Sequence, residues 1–218
     1  MSKFFKNNGL TVTLLALFIA SLTGHWLSGW HVENEELTSH GKAAITLAQY
    51  TTDAQFLSTV FENWESEFLQ MGMYVLLTAM LVQRGSAESR DPDEDDAERE
   101  REAQGPDSPR AIYAGPAVRW LFAHSLSIAL LTMFVVSFLL HWNFSAEEAA
   151  SQALLHGDTP ETKLEYLTSA QLWFESFQNW QSEFLSTAVL VVLSIFLRQR
   201  GSPESKPVAA PHAKTGAS

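Results

Sequence analysis

The chain has 218 residues, no cysteine and a formal net charge of −11. Without a thiol there is no disulfide framework, thiol nucleophile or thiolate metal site, and no clustered Lys and Arg form a nucleic-acid footprint. A mean hydropathy of −0.04 looks soluble only as an average, because apolar residues gather in four blocks and charge gathers outside them.

The first block, Leu10–Trp30, is long enough to cross about 30 Å of hydrocarbon as a helix. Lys3 and Lys6 ahead of it could open a signal peptide. However, no convincing small-x-small cleavage site lies near Gly24, and the same pattern recurs inside the chain, so a retained helix over about 9–30 is expected. The second block, Phe68–Val82, has 15 residues and is short for a crossing. It follows an aromatic-rich stretch of helical spacing, so one helix is expected from about Thr52 to Val82, with its membrane part near 62–83. The motif QRGSAES closes it. Gly85 suits a left-handed cap, and Arg84 suits the negative helix end and lipid headgroups.

Between Gly85 and Arg110 stand ten acidic residues against four Arg. Residues 90–112 are too polar to offset their ordering entropy and read as a disordered cytoplasmic linker, with a short charged helix over Glu94–Gln104 as the alternative. The third block, Val118–Trp142, predicts a crossing over 118–142. The fourth, Phe184–Leu197, has 14 residues and extends back to Ser169, with its membrane part near 178–198. Residues 206–218 read as a flexible tail.

A constant shift of 116 pairs Ser21 with Ser137, His25 with His141, Trp26 with Trp142, His40 with His156 and Tyr50 with Tyr166. Across 61–89 and 177–205, 16 of 29 positions are identical, including FENWESEF against FQNWQSEF and QRGS in both. The repeats are 1–89 and 113–205. Each holds two crossings, so both copies keep one orientation and are parallel repeats. Six basic residues lie in the segment joining the repeats, two precede the first helix and four follow the last, whereas the loops near 31–60 and 143–170 hold one Lys each. Both termini and the linker are therefore expected on the cytoplasmic side, with the two acidic loops facing the periplasm if the membrane is a bacterial inner one. The predicted fold is all-α: an integral membrane four-helix bundle of two parallel helical hairpins with pseudo-two-fold symmetry.

The phrases NEEL, HG, ENWESEFLQ, VLLT and QRGSAES, then NWQSEFL and VVLSIFLRQRGSPESKPV, resemble a family of uncharacterised bacterial multi-pass membrane proteins, a domain of unknown function. The resemblance covers nearly the whole chain apart from the acidic linker. It implies a bacterial multi-pass setting and nothing catalytic.

On a helix, Asn63, Ser66 and Glu67 share one face, which Gln70, Tyr74 and Thr78 extend. Asn179, Ser182 and Glu183 are the second-copy equivalents. At about 1.5 Å per residue, Glu67 and Glu183 fall near the depth of His25 and His141, just inside the outer boundary. These eight residues form the candidate intramembrane polar cluster: His25, Asn63, Ser66, Glu67, His141, Asn179, Ser182 and Glu183. Such groups point either to a proton, solute or metal path or, as the weightier reading, to side chains that hold helices together. Six Trp near the outer side suit an interfacial belt, and His31, His40 and His156 suit loop surfaces. No phosphate loop, GxSxG or HExxH is present. The expected function is a non-enzymatic structural, sensory or partner-binding membrane protein without a cofactor. Its partner would be the bilayer, with a homo-oligomer or another membrane protein as further possibilities. The alternative is a small transporter or channel coupled through Glu67 and Glu183.

Overall fold

A computed structural model describes residues 3–216, with Lys3 and Asp96 described in their backbones only. Among these the chain is all-α, with helices α1 (Lys3–Ser39), α2 (Leu47–Tyr50), α3 (Ala54–Met80), α4 (Asp96–Ala103), α5 (Pro116–Ala123), α6 (Ser125–His156), α7 (Lys163–Tyr166) and α8 (Ala170–Phe196). A 3₁₀ turn at Arg110–Tyr113 precedes α5. The bounds of α2 and α7, and those of α3 and α8, differ by the same 116 residues as the sequence repeat. Both short helices start with the same device. The Thr46 hydroxyl accepts from Gln49 N–H while Gln49 Oε1 accepts from Thr46 N–H, and Thr162 with Glu165 repeats the capping box.

Among the described residues, two helices are long and apolar enough to cross a membrane, in stretches spanning Phe4–Ser39 and Ser125–His156. α3 and α8 have 27 residues each, about 40 Å of helix, but the polar phrase in the first half of each dilutes its hydropathy. The third block is not one continuous helix. His124 leaves helical geometry at φ −110°, ψ 7° and separates α5 from α6. In the linker, expected to lack order, Asp96–Ala103 forms the short charged helix given above as the alternative, capped by Asp95 accepting from Ala97 N–H.

The burial pattern is reversed from that of a water-soluble domain. Among the described residues, six apolar side chains are buried against thirteen polar ones. Leu10, Leu14, Leu17 and Ile19 of α1 and Leu126, Val135 and Val136 of α6 are at least half exposed. Apolar surface costs about 25 cal/mol per Å² in water, so these helix faces call for an apolar surrounding.

The chain divides into two compact units, residues 1–61 with 140–169 and residues 62–139 with 170–218, so α3 and α6 each run through both. In the first unit, the outer end of α1 clasps the segment that follows it. Trp30 Nε1 donates to Ile45 O at 2.8 Å. The Asn34 amide donates to the same carbonyl and accepts Ile45 N–H at 2.7 Å. Trp26 Nε1 donates to Thr51 at 3.2 Å. Buried Tyr50 lies so close over Gly29 that a Cβ there would stand 2.3 Å from its hydroxyl oxygen. In the repeat, Trp142 Nε1 donates to Lys163 O at 2.8 Å, and the Lys163 ammonium pairs with Glu147.

In the second unit, the two QRGSxES motifs fold alike. Gly85 and Gly201 take φ of 82° and 83°, which favours glycine. Ser86 N–H donates to Gln83 O and Ser202 N–H to Gln199 O, while Ser89 and Ser205 hydroxyls accept Gln83 and Gln199 N–H. The tail holds one residue unlike its composition. Lys206 is 1% exposed, and its ammonium reaches the carbonyls of Gly85, Ile195, Pro211, His212 and Lys214.

Candidate functional site

The second unit places the FENWESEF and FQNWQSEF phrases on α3 and α8. Asn179 and Gln70 of the repeated seam bond between these helices, and so do Glu62, Glu65, Ser176 and Trp180, which the seam does not single out. Glu65, fully buried, accepts from the Ser176 hydroxyl at 2.8 Å and from Trp180 Nε1 at 3.2 Å. Asn179 Nδ2 donates to Glu62 Oε1 at 2.6 Å. Lower down, Gln70 Nε2 donates to Thr187 at 2.7 Å, to Glu183 O at 3.1 Å and to Ser186 at 3.3 Å. Beyond the end of α3, the Ser86 hydroxyl meets that of Ser194 on α8 at 2.8 Å, and Ala87 N–H donates to Ser194. Polar contacts therefore join α3 and α8 from the Trp-bearing turn to the QRGS turn.

The candidate cluster divides as follows. Ser66 is buried and donates to Asn63 O of its own helix, as exposed Ser182 does to Asn179 O. Asn63 and Glu67 are exposed, and Glu183 is half-buried within the electrostatic reach of Glu67. His25 and His141 belong to the first unit. There His25 Nε2 pairs with the Thr59 hydroxyl at 3.1 Å and its ring tilts against Phe56, while His141 is fully buried. No group of three or more His, Asp or Glu is placed to hold a metal ion among the described residues.

Glu62, Glu65 and Ser176 were missed because the signal used was recurrence. Glu62 and Glu65 correspond to Gln178 and Gln181, so these two acceptors stand where the copies differ, while their donors Asn179 and Trp180 recur as Asn63 and Trp64.

A cavity of about 340 Å³ lies between α3 and α8, lined by Gln70, Tyr74, Thr78, Thr187, Val191 and Glu88. The Tyr74 hydroxyl donates to Glu88 at 2.5 Å. Burial raises the Glu88 pKa, the Tyr74 bond opposes this, and Glu204 of the second motif adds to the rise. A larger open cavity of about 900 Å³ adjoins the same pair, with Arg90, Arg99 and Lys214 among its lining.

In the first unit, beyond the apolar part of α1, Glu33 is 8% exposed, and its Oε2 has no hydrogen-bond partner among the described residues. Burial raises its pKa to about 7, with Glu148, Asp53 and Glu36 adding to the shift. Burial also raises Asp53 and Glu148.

A family model described as "Domain of unknown function (DUF6766)" matches residues 1–217. The chain belongs to the DUF6766 family. No curated protein and no solved structure matches this DUF6766 chain, so its chemistry is argued from its own residues.

Proposed function

We propose that this protein is a non-enzymatic integral membrane protein. Its two parallel hairpins form a four-crossing, pseudo-two-fold bundle in the inner membrane, with both termini and the acidic linker cytoplasmic. Its role would be structural, sensory or partner-binding. The observation that carries this reading is the reversed burial: polar side chains inside and apolar helix faces outside, as expected where lipid is the solvent. The continuous bonds between α3 and α8 supply what apolar packing cannot in lipid, because lipid tails are as apolar as leucine. Glu62 and Glu65 are occupied by these bonds, which supports a holding role for the polar phrase.

A second reading, a small transporter or channel, draws on the cavity lined by Gln70, Tyr74 and Thr78, the face that continues from Glu67. The two readings separate in proteoliposomes carrying the Glu67→Gln, Glu183→Gln double variant. The structural reading expects the same proton flux as wild type and as empty vesicles. A wild-type flux that disappears in a folded double variant would establish the transporter.

A further inference from the structure

Glu33 sits one turn beyond Gly29 on α1, in the clasp formed by Trp30, Asn34 and the 45–53 segment. Four acidic or phenolic groups surround it: Glu36 on its own helix, Tyr50 on α2, Asp53 at the α2–α3 junction and Glu148 on α6. Among the described residues, the charged groups that shift it are all acidic. Asp53 accepts Gln55 N–H at 3.0 Å and Glu148 accepts from the Gln152 amide at 2.9 Å. Glu33 Oε2 is buried and has no such partner. A carboxylate in this place would be desolvated, unbonded and repelled by its neighbours. A carboxylic acid would not carry that charge.

We propose that Glu33 is a proton-binding site that switches the clasp between α1, the 45–53 segment and α6. With the proton on, Glu33 is neutral and the clasp closes, with Trp30 and Asn34 bonded to Ile45. With the proton off, a further negative charge enters this acidic group, and the 45–53 segment loosens from α1. Among the described residues no group of three or more His, Asp or Glu is placed to hold a metal ion, and a proton fits the unpartnered buried carboxyl. The inference gives the sensory branch of the proposed function a ligand. It rests on that reading only for which side of the membrane the proton comes from.

The direction follows from linkage. The folded-state pKa of Glu33 is raised, from 4.5 to about 7, so the closed clasp binds more protons than the open one between those values. Closure is favoured at and below pH 4.5, is lost as pH rises towards 7, and changes little above that.

The test is backbone hydrogen exchange of residues 45–53 in the full chain in detergent or nanodiscs, comparing wild type with Glu33→Gln at matched pH so that intrinsic exchange cancels. The ratio of wild-type to variant opening should rise at least about tenfold between pH 5 and pH 8 and then level off. Should Glu33→Gln not fold, Glu148→Gln is read instead; it removes one repelling charge and should give a smaller rise that levels off at lower pH. Exchange that tracks between wild type and Glu33→Gln at every pH overturns the proposal, as does a Glu148→Gln profile superimposable on wild type. Closure at pH 8 by millimolar spermidine without any pH response overturns it in favour of an organic-cation site. None of these outcomes depends on membrane topology, so a failed topology and a failed switch are told apart.

Discussion

Replacing Lys206 with Met should unlock the C-terminal tail while leaving its apolar stem filled. The ammonium has three protons, and its shortest contacts are to Gly85 O at 2.5 Å, His212 O at 2.9 Å and Lys214 O at 3.0 Å. Hydrogen bonds to a charged donor contribute about 1.5–3 kcal/mol each, so three amount to roughly 4–9 kcal/mol. Burying an ammonium without a carboxylate costs several kcal/mol in return; burial together with Arg198 lowers the Lys206 pKa. A net loss of about 3 kcal/mol follows, or about 100-fold in the local opening equilibrium. The amide of Gly216, which donates to Ser86 O at 2.9 Å, reports this opening. Its exchange should accelerate about 100-fold in Lys206→Met, with the helical amides of α3 and α8 unchanged. An acceleration below about threefold would refute the argument that this lysine, rather than the chain path, holds the tail.

Three further substitutions test the packing. Glu65→Ala removes an acceptor from buried Ser176 and Trp180 and should cost about 2–3 kcal/mol of stability in thermal melts, while Glu65→Gln, which keeps an acceptor oxygen, should cost under half of that. Gly29→Ala sets a Cβ against the Tyr50 hydroxyl and should destabilise by about 1–3 kcal/mol; Tyr50→Phe in the same chain should recover part of it, and no recovery would show the contact is not the cause. Gly85→Ala and Gly201→Ala both force a residue into positive φ, about 1 kcal/mol. The added Cβ meets the His212 carbonyl oxygen at 2.7 Å only at Gly85, so Gly85→Ala should be the more damaging by denaturation in detergent.

Much of the helix layout was legible from the 116-residue shift, because duplicated segments carry the same caps and turns. QRGSxES shows this well: its glycine takes the same positive φ twice, and its serines make the same bonds. What the sequence hid lies where the copies differ. Glu65 and Gln181 look like drift between repeats, yet Glu65 is the buried acceptor on α3. The break at His124 has no proline or glycine to mark it, and no composition rule singles out Lys206 in a Pro- and Ala-rich tail. In the sequence Glu33 falls in the outer loop near 31–60, since its burial depends on α1 continuing past Trp30 to Ser39.

The central claim is four crossings in two parallel hairpins, and the absence of native cysteine allows a direct measurement. Single cysteines at Lys42, Gly105 and Asp158 are labelled with a membrane-impermeant maleimide on spheroplasts, before and after permeabilisation. The account predicts positions 42 and 158 labelled before permeabilisation and position 105 only after it. If only α1 and α6 crossed, 42 and 105 would share one side and 158 would lie on the other, and that pattern would contradict the four-crossing bundle.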